Sequence, residues 1–221
     1  MTRTLFDKQL QELKDDVIIL SSMVEKAIER SIDALKGRDL KLANQIIADD
    51  ENVNRKRFDI EDKCVSLIAT QQPMASDLRT IIAILYISNE LERMADHAEG
   101  IARIAIIIGE EPPLKPLVDI PRMAQKDIEM LRHSMESFLE RDVKKAEAVC
   151  AADTDIDQLY DQVYRELISF MIEDPKTITR ATRLMWVAHN LERIGDRATN
   201  IAERAAFAVT GKMVEMGTSR Y

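Results

Sequence analysis

Pairs of carboxylates spaced four residues apart are the feature of this chain most suited to chemistry. Glu92 and Asp96 form one pair, and Glu192 and Asp196 form another pair 100 residues later. Residues four apart share one face of an α-helix, where two like charges destabilise the helix by about 0.2–0.5 kcal/mol unless something offsets them. Bound cations and neighbouring arginines are the two kinds of group that would offset this repulsion.

An aspartate also interrupts an apolar helical pattern upstream of each pair. Asp50 and Asp153 each stand where the three- and four-residue spacing of the pattern calls for an apolar side chain. Asp157 adds a second acid one turn after Asp153, whereas Asn54 takes the corresponding place after Asp50. The later set therefore has four carboxylates, and the earlier set has three carboxylates and an amide.

A helical hairpin would bring these separately encoded acids together. Asp50 and Asp96 each lie 23 residues from Pro73, where a turn is predicted. At a rise of 1.5 Å per residue on both helices, they should lie at the same height. The same count around Pro175 predicts that the later acids lie level in pairs, Asp153 with Asp196 and Asp157 with Glu192.

The predicted clusters have two chemical interpretations. Ligands that are all oxygen suit hard ions such as Mg²⁺, Ca²⁺, Mn²⁺ or ferric iron. His189, one turn before Glu192, would add a nitrogen ligand, although Asn89 replaces it in the earlier set. In the alternative interpretation the acids form a solvated face that is neutralised by nearby arginines, namely Arg93, Arg103, Arg193 and Arg197.

The helices that must position these acids are encoded twice. LERMADHAEGIARIA at 91–105 matches LERIGDRATNIAERA at 191–205 with an offset of 100 residues. Upstream the offset is 103 residues, since Arg38-Asp39 matches Arg141-Asp142. The length difference falls at the predicted turns, where an insertion in a duplicated hairpin is tolerated. The chain is therefore predicted to contain two copies of one unit.

Each copy divides into three helices, so the predicted fold is all-α with two tandem three-helix bundles. The apolar spacing and the Gly and Pro positions predict helices over 4–36, 40–70, 76–108, 121–140, 143–173 and 176–210. The predicted units are 1–110 and 119–211, separated by the proline-rich segment GEEPPLKP. Helices of this length predict an elongated pair of bundles. The tail, 211–221, is expected to fray.

Composition excludes several classes of protein. The net charge of −8 gives no basic footprint for nucleic acid. The charged amphipathic start is no signal peptide, and the longest apolar runs are too short to span a bilayer. Cys64 and Cys150 are too few for a disulfide framework or zinc site and are expected to be small buried residues in a reducing cytoplasm.

Over nearly its full length the chain resembles the PhoU family of bacterial phosphate-uptake regulators. The most specific matching segments are QQPMASDLRT, ISNELERMADHAEGIA and HNLERIGDRATNIAE, together with the acids in DDENVN and DTDIDQLYD. The resemblance implies three-helix bundles whose ExxxD motifs can carry multinuclear iron or zinc clusters, or no metal at all. Carried over to this chain, the candidate metal ligands are Asp50, Glu92, Asp96, Asp153, Asp157, Glu192 and Asp196.

The resemblance also implies a role and partners. Such a protein represses the phosphate-starvation response when phosphate is plentiful, by linking the ATPase of the phosphate ABC importer to a membrane sensor histidine kinase. A cytoplasmic homodimer is expected, with membrane contact only through these partners and no nucleic acid. Asn54 departs from the acidic pattern, which weakens the case for a complete cluster in the first copy.

Two alternatives to a regulator follow from the residues. A helical-bundle carboxylate enzyme would pair Glu with a histidine three residues later, but Ala95 and Gly195 occupy those positions. No Walker A loop, GxSxG or HExxH motif is present, so no enzymatic activity is predicted. A metal-free coiled-coil adaptor with no link to phosphate would have the same apolar seams.

Overall fold

A computed structural model describes residues 3–213, and all six long elements in this range are α-helices. They are α1 (Arg3–Gly37), α2 (Leu40–Gln71), α3 (Ser76–Ile108), α4 (Asp119–Glu140), α5 (Val143–Glu173) and α6 (Ile178–Thr210), with a 3₁₀ turn at Pro175–Thr177 before α6. The all-α prediction is confirmed, and every predicted helix terminus agrees with the structure to within two residues. The part of the predicted tail after residue 213 lies outside the described residues.

The same Arg-Asp turn joins the first two helices of each copy. Arg38 and Arg141 adopt positive φ angles of 54° and 59°, and each ends the preceding helix. Asp39 then accepts a hydrogen bond from the main-chain N–H of Leu42, and Asp142 caps α5 in the same way. A capping aspartate satisfies an N–H group that the first helical turn leaves unpaired. The repeat seen in the sequence is therefore a repeat of backbone geometry.

The two bundles lie side by side and share one core. α1, α2 and α3 pack together, as do α4, α5 and α6, and α3 also packs along α6. α3 is buried on two faces, one that carries Ala95 and Ala102 and another that carries Met94 and Ile101. That second face joins the bundles. No helix within 3–213 is long and apolar enough to cross a membrane.

Polar contacts between α3 and α6 reveal an approximate two-fold relation between the copies. Glu90 on α3 accepts hydrogen bonds from Arg197 at 3.3 Å and Asn200 at 3.1 Å on α6. Asn190, the counterpart of Glu90, lies with its Oδ1 3.0 Å from Nδ1 of His97 on α3. These reciprocal pairs require α3 and α6 to run antiparallel, and they place the hairpins that carry the acids on either side of the shared interface.

Glu90→Ala is expected to lower the free energy of unfolding by about 1–3 kcal/mol, because it leaves the largely buried Arg197 guanidinium without its carboxylate. Urea denaturation followed by circular dichroism measures this change. Glu51→Ala is the matched control, since Glu51 pairs with the exposed Arg55 at the surface and should contribute less than about 1 kcal/mol. Equal effects of the two substitutions would contradict a structural role for the Glu90 contacts.

Candidate functional site: two acidic clusters

The first acidic cluster, Asp50, Glu92, Asp96 and Glu99, lies between α2 and α3. Burial raises the pKa of Asp50 to about 6, and repulsion from Asp96, Glu99 and Glu92 adds to this effect. Burial and like charge also raise the pKa of Glu92 and of Asp96. The predicted approach of Asp50 to Asp96 across the hairpin is therefore present, and these carboxylates resist holding full negative charge together.

Asn54 completes this cluster as a hydrogen-bond donor. Its side-chain amide donates to Asp50 Oδ2 at 2.8 Å, while the buried Asp50 Oδ1 accepts no hydrogen bond from the described residues. The Asn54 amide thus provides a hydrogen bond to one of the two oxygens of Asp50. A second carboxylate at position 54 would instead repel Asp50. The first cluster is consequently closer to electrostatic balance than its counterpart in the second copy.

The second acidic cluster lies between α5 and α6 and contains Asp153, Asp157, Glu192 and Asp196. Asp153 is 9% exposed and Glu192 is 8% exposed. Burial raises the pKa of each to about 7, and repulsion from Asp196 and Asp157 contributes to both shifts. The hairpin therefore brings the four predicted acids together, as the residue count from the turn required.

Asp127 on α4 belongs to the second acidic cluster and was missed by the sequence analysis. The residue is fully buried, and neither of its carboxylate oxygens has a hydrogen-bond partner among the described residues. Burial raises its pKa well above the usual value, and repulsion from Asp153, Glu192 and Asp196 adds to this. A signal was available, because Asp127 interrupts the apolar spacing of α4 as Asp50 and Asp153 interrupt theirs.

A glycine makes room for this additional acid. A Cβ atom built on Gly195 would lie 3.2 Å from Asp153 Oδ1 and 3.4 Å from Asp127 Oδ1. In the first copy the equivalent positions are Ala95 in place of Gly195 and Val24 in place of Asp127. The second copy thus has an acid and a glycine where the first copy has two apolar residues. Its acidic cluster is therefore larger and more deeply buried than the first.

Arginines neutralise these clusters only in part. Nη1 of Arg193 lies 2.9 Å from Asp196 Oδ2, and its Nε lies 3.1 Å from Glu192 Oε2. Arg197 instead crosses to Glu90 on α3, and Arg103 pairs with Glu99 at the surface. The pKa values of Glu192 and Asp196 stay raised beside Arg193, because its attraction is outweighed by burial at Asp196 and by burial together with repulsion from neighbouring acids at Glu192.

The donor chemistry of the second cluster fits a hard cation, although its side chains do not converge on one point. Within 3–213 no three His, Cys, Asp or Glu side chains form an arrangement that would hold a single metal ion. Both oxygens of Asp127 are nevertheless buried and accept no hydrogen bond from the described residues. Buried carboxylate oxygens without partners are suited to a cation, and side-chain rotation would be needed to surround it.

The two cysteines lie apart from this chemistry. Cys64 and Cys150 are free and buried, and burial raises the pKa of each thiol to about 12. A thiol with so high a pKa is a poor nucleophile and metal ligand near neutral pH. The prediction that both are small buried residues is confirmed.

Comparison with known proteins agrees with this architecture. The PhoU domain matches the chain twice, over residues 17–105 and 120–205. The chain is 42% identical over 208 residues to the phosphate-specific transport system accessory protein PhoU homolog of Aquifex aeolicus (strain VF5), covering 94% of each chain. It is 37% identical to the homolog of Clostridium acetobutylicum, covering 98% of this chain and 99% of that one.

Solved structures share the same fold. The crystal structure of PhoU from Pseudomonas aeruginosa superposes with a TM-score of 0.89 at 34% identity, over 94% of this chain and all of that chain. PhoU from Streptococcus pneumoniae gives a TM-score of 0.88 at 31% identity, over 95% and 99% of the two chains. Fold and site thus define a tandem helical-repeat protein with an acidic cluster in each hairpin. The chain belongs to the PhoU family.

Proposed function

We propose that this protein is a cytoplasmic negative regulator of the phosphate-starvation response and a modulator of phosphate uptake. It acts by binding, linking the ATPase of the phosphate ABC importer to a sensor histidine kinase when phosphate is plentiful. The observation that carries the proposal is full-length similarity to proteins named as accessory to the phosphate-specific transport system. The paired acidic clusters supply the surface that partners recognise, and no catalytic step is assigned to them.

Binding to the two partners is the direct test of this proposal. Purified protein immobilised at physiological salt is expected to retain the importer ATPase, the cytoplasmic region of the kinase, or both. A protein of similar size and net charge serves as the control for non-specific retention. Absence of binding to both partners would contradict the proposed function.

A genetic test separates a regulator from a metal-free adaptor with no link to phosphate. Deletion of the gene is expected to switch on phosphate-starvation genes in phosphate-rich medium, because the repressing link is lost. Complementation with the wild-type gene should restore repression. Unchanged expression of these genes after deletion would favour the adaptor.

We further propose that the second acidic cluster binds divalent or ferric cations and that the protein is a homodimer. The proposed ligands in this cluster are Asp153, Asp157, Glu192 and Asp196, with Asp50, Glu92 and Asp96 forming the weaker set in the first copy. Iron, zinc, manganese and magnesium are the candidate metals. A bound cation would neutralise the buried carboxylates and fix the shape of the surface that partners contact. Sedimentation of the full chain tests the dimer.

Asp196→Asn is expected to weaken binding of Mn²⁺ at least about tenfold, because it removes a charged ligand from the more acidic cluster. Titration calorimetry of the metal alone against metal-free protein measures the affinity. Asp155→Asn is the matched control, since Asp155 is an exposed acid of α5 that pairs with Lys126. Equal affinity in the two variants, or no binding by the wild type, would contradict the cation site.

A further inference from the structure

An aromatic pocket adjoins the second acidic cluster. Trp186, the single tryptophan of the chain, is 57% exposed on α6. It lines a cavity of about 330 Å³ together with Tyr160, Thr182, Met185 and His189. Tyr164, 44% exposed, lies beside Tyr160 with ring centroids 6.4 Å apart. Several aromatic rings gathered at one exposed position form a larger apolar surface than scattered surface residues do.

The pocket is continuous with the carboxylates. The ring of Trp186 meets that of His189 edge-on at 5.7 Å, and Nδ1 of His189 lies 3.6 Å from Glu192 Oε2. Acids outnumber cations at this end of the cluster, and a positively charged group entering the pocket would therefore be attracted.

The protein itself shows how a cation is held on the equivalent ring. Tyr86 is the counterpart of Trp186 in the first copy, and the guanidinium of Arg204 lies over its ring at 3.8 Å from the centroid. The residue that corresponds to Arg204 in the first copy is Ile104, which carries no charge. Among the described residues no arginine or lysine lies over the ring of Trp186. The second copy thus has an aromatic ring at the equivalent position, but no cation of the described residues stacks on it.

We propose that an arginine from a protein partner stacks on Trp186 while neighbouring basic residues of the same segment contact the second acidic cluster. The inference rests on the proposed function in one respect, that the ligand belongs to a protein partner. Arginine is favoured over lysine because its planar guanidinium stacks on aromatic faces and forms paired hydrogen bonds with carboxylates. Tryptophan is the ring with the strongest attraction for such a cation.

A short peptide tests the site without any partner. A capped tetra-arginine peptide, titrated at low ionic strength into metal-free protein, is expected to change the fluorescence of Trp186 in a saturable manner. The same peptide with citrulline in place of arginine keeps the shape but lacks the charge, and should have no effect. Because the chain has one tryptophan, the signal reports this position alone.

Calorimetry of variants completes the peptide test. Trp186→Ala should weaken the peptide at least about tenfold, and Trp186→Phe should retain part of the affinity because it keeps an aromatic ring. Phe58→Ala is the matched control, since Phe58 is 54% exposed on the first copy and already lies beneath Arg57 at 4.0 Å. Unchanged fluorescence in the wild type, or equal affinity in Trp186→Ala and Phe58→Ala, would overturn the inference.

The same variants distinguish this inference from the proposed function. If the wild type binds the peptide but neither the importer ATPase nor the kinase region, the site stands and the proposed function fails. If Trp186→Ala binds these partners as tightly as the wild type does, the site fails and the proposed function stands. Loss of partner binding in Trp186→Ala alone, with circular dichroism unchanged, supports both.

Discussion

Val24→Asp is expected to destabilise the protein by about 3–5 kcal/mol at pH 7, the largest effect of any single substitution considered. Val24 is fully buried on α1 and is the counterpart of Asp127 on α4. At the equivalent of Gly195 the first copy has Ala95, whose Cβ occupies the space that the second copy leaves for carboxylate oxygens. A carboxylate at position 24 would be buried without a partner or the room to rotate towards one.

The reverse substitution measures how much the additional acid lowers the stability of the second copy. Asp127→Val is expected to raise the free energy of unfolding at pH 7 by about 1–4 kcal/mol, because an apolar side chain replaces a buried carboxyl that has no hydrogen-bond partner. Asp127→Asn removes the ionisable group but keeps a polar side chain, so its gain should be smaller. Urea denaturation in the presence of EDTA gives all three values. Destabilisation by Asp127→Val would indicate a partner for this carboxyl.

Stability is also expected to fall as the pH rises from about 4 to 8. Asp50, Asp153 and Glu192 have folded-state pKa values of about 6, 7 and 7, above their ordinary values of 3.8, 3.8 and 4.5. A carboxyl whose pKa is raised by folding binds its proton more tightly in the folded state. Its stabilising contribution is therefore complete below the unfolded pKa and is lost as the pH passes through the folded pKa.

Single substitutions separate the contribution of one carboxyl to the pH dependence of stability from the contributions of the other titratable groups. In Asp153→Asn the loss of stability between pH 5 and 8 should be smaller than in the wild type by about 2 kcal/mol. Asp16→Asn is the control: hydrogen bonds from Lys56 and Lys63 lower the pKa of Asp16, so this carboxyl is ionised in both states between pH 5 and 8, and the variant should lose stability in parallel with the wild type. Parallel stability curves for the wild type and Asp153→Asn would contradict the raised pKa.

Local pattern was sufficient to predict the helices and the acidic hairpins. Apolar spacing together with Gly37 and Pro73 gave helix bounds close to those of the structure. The height of each acid followed from the fixed rise of a helix and the position of the turn. Both arguments use only residues near one another in the sequence or across one hairpin.

The packing of one bundle against the other required information that these patterns do not carry. α3 has two apolar faces, and the spacing alone does not tell which face covers α6 and which covers its own bundle. The contribution of Asp127 was also missed, since α4 lies outside the hairpin from which the acids were counted. Comparing the two copies position by position, with Val24 opposite Asp127 and Ala95 opposite Gly195, identifies the acid after the fact.

The antiparallel contact between α3 and α6 has a consequence for avidity. Because one continuous core joins the copies, a group bound at the first acidic cluster stays at a fixed distance and angle from a group bound at the second. A partner that engages one cluster presents the rest of its surface to the other at high effective concentration. The unequal acidity of the two clusters also gives the molecule a polarity, so that a bivalent partner would bind in one orientation.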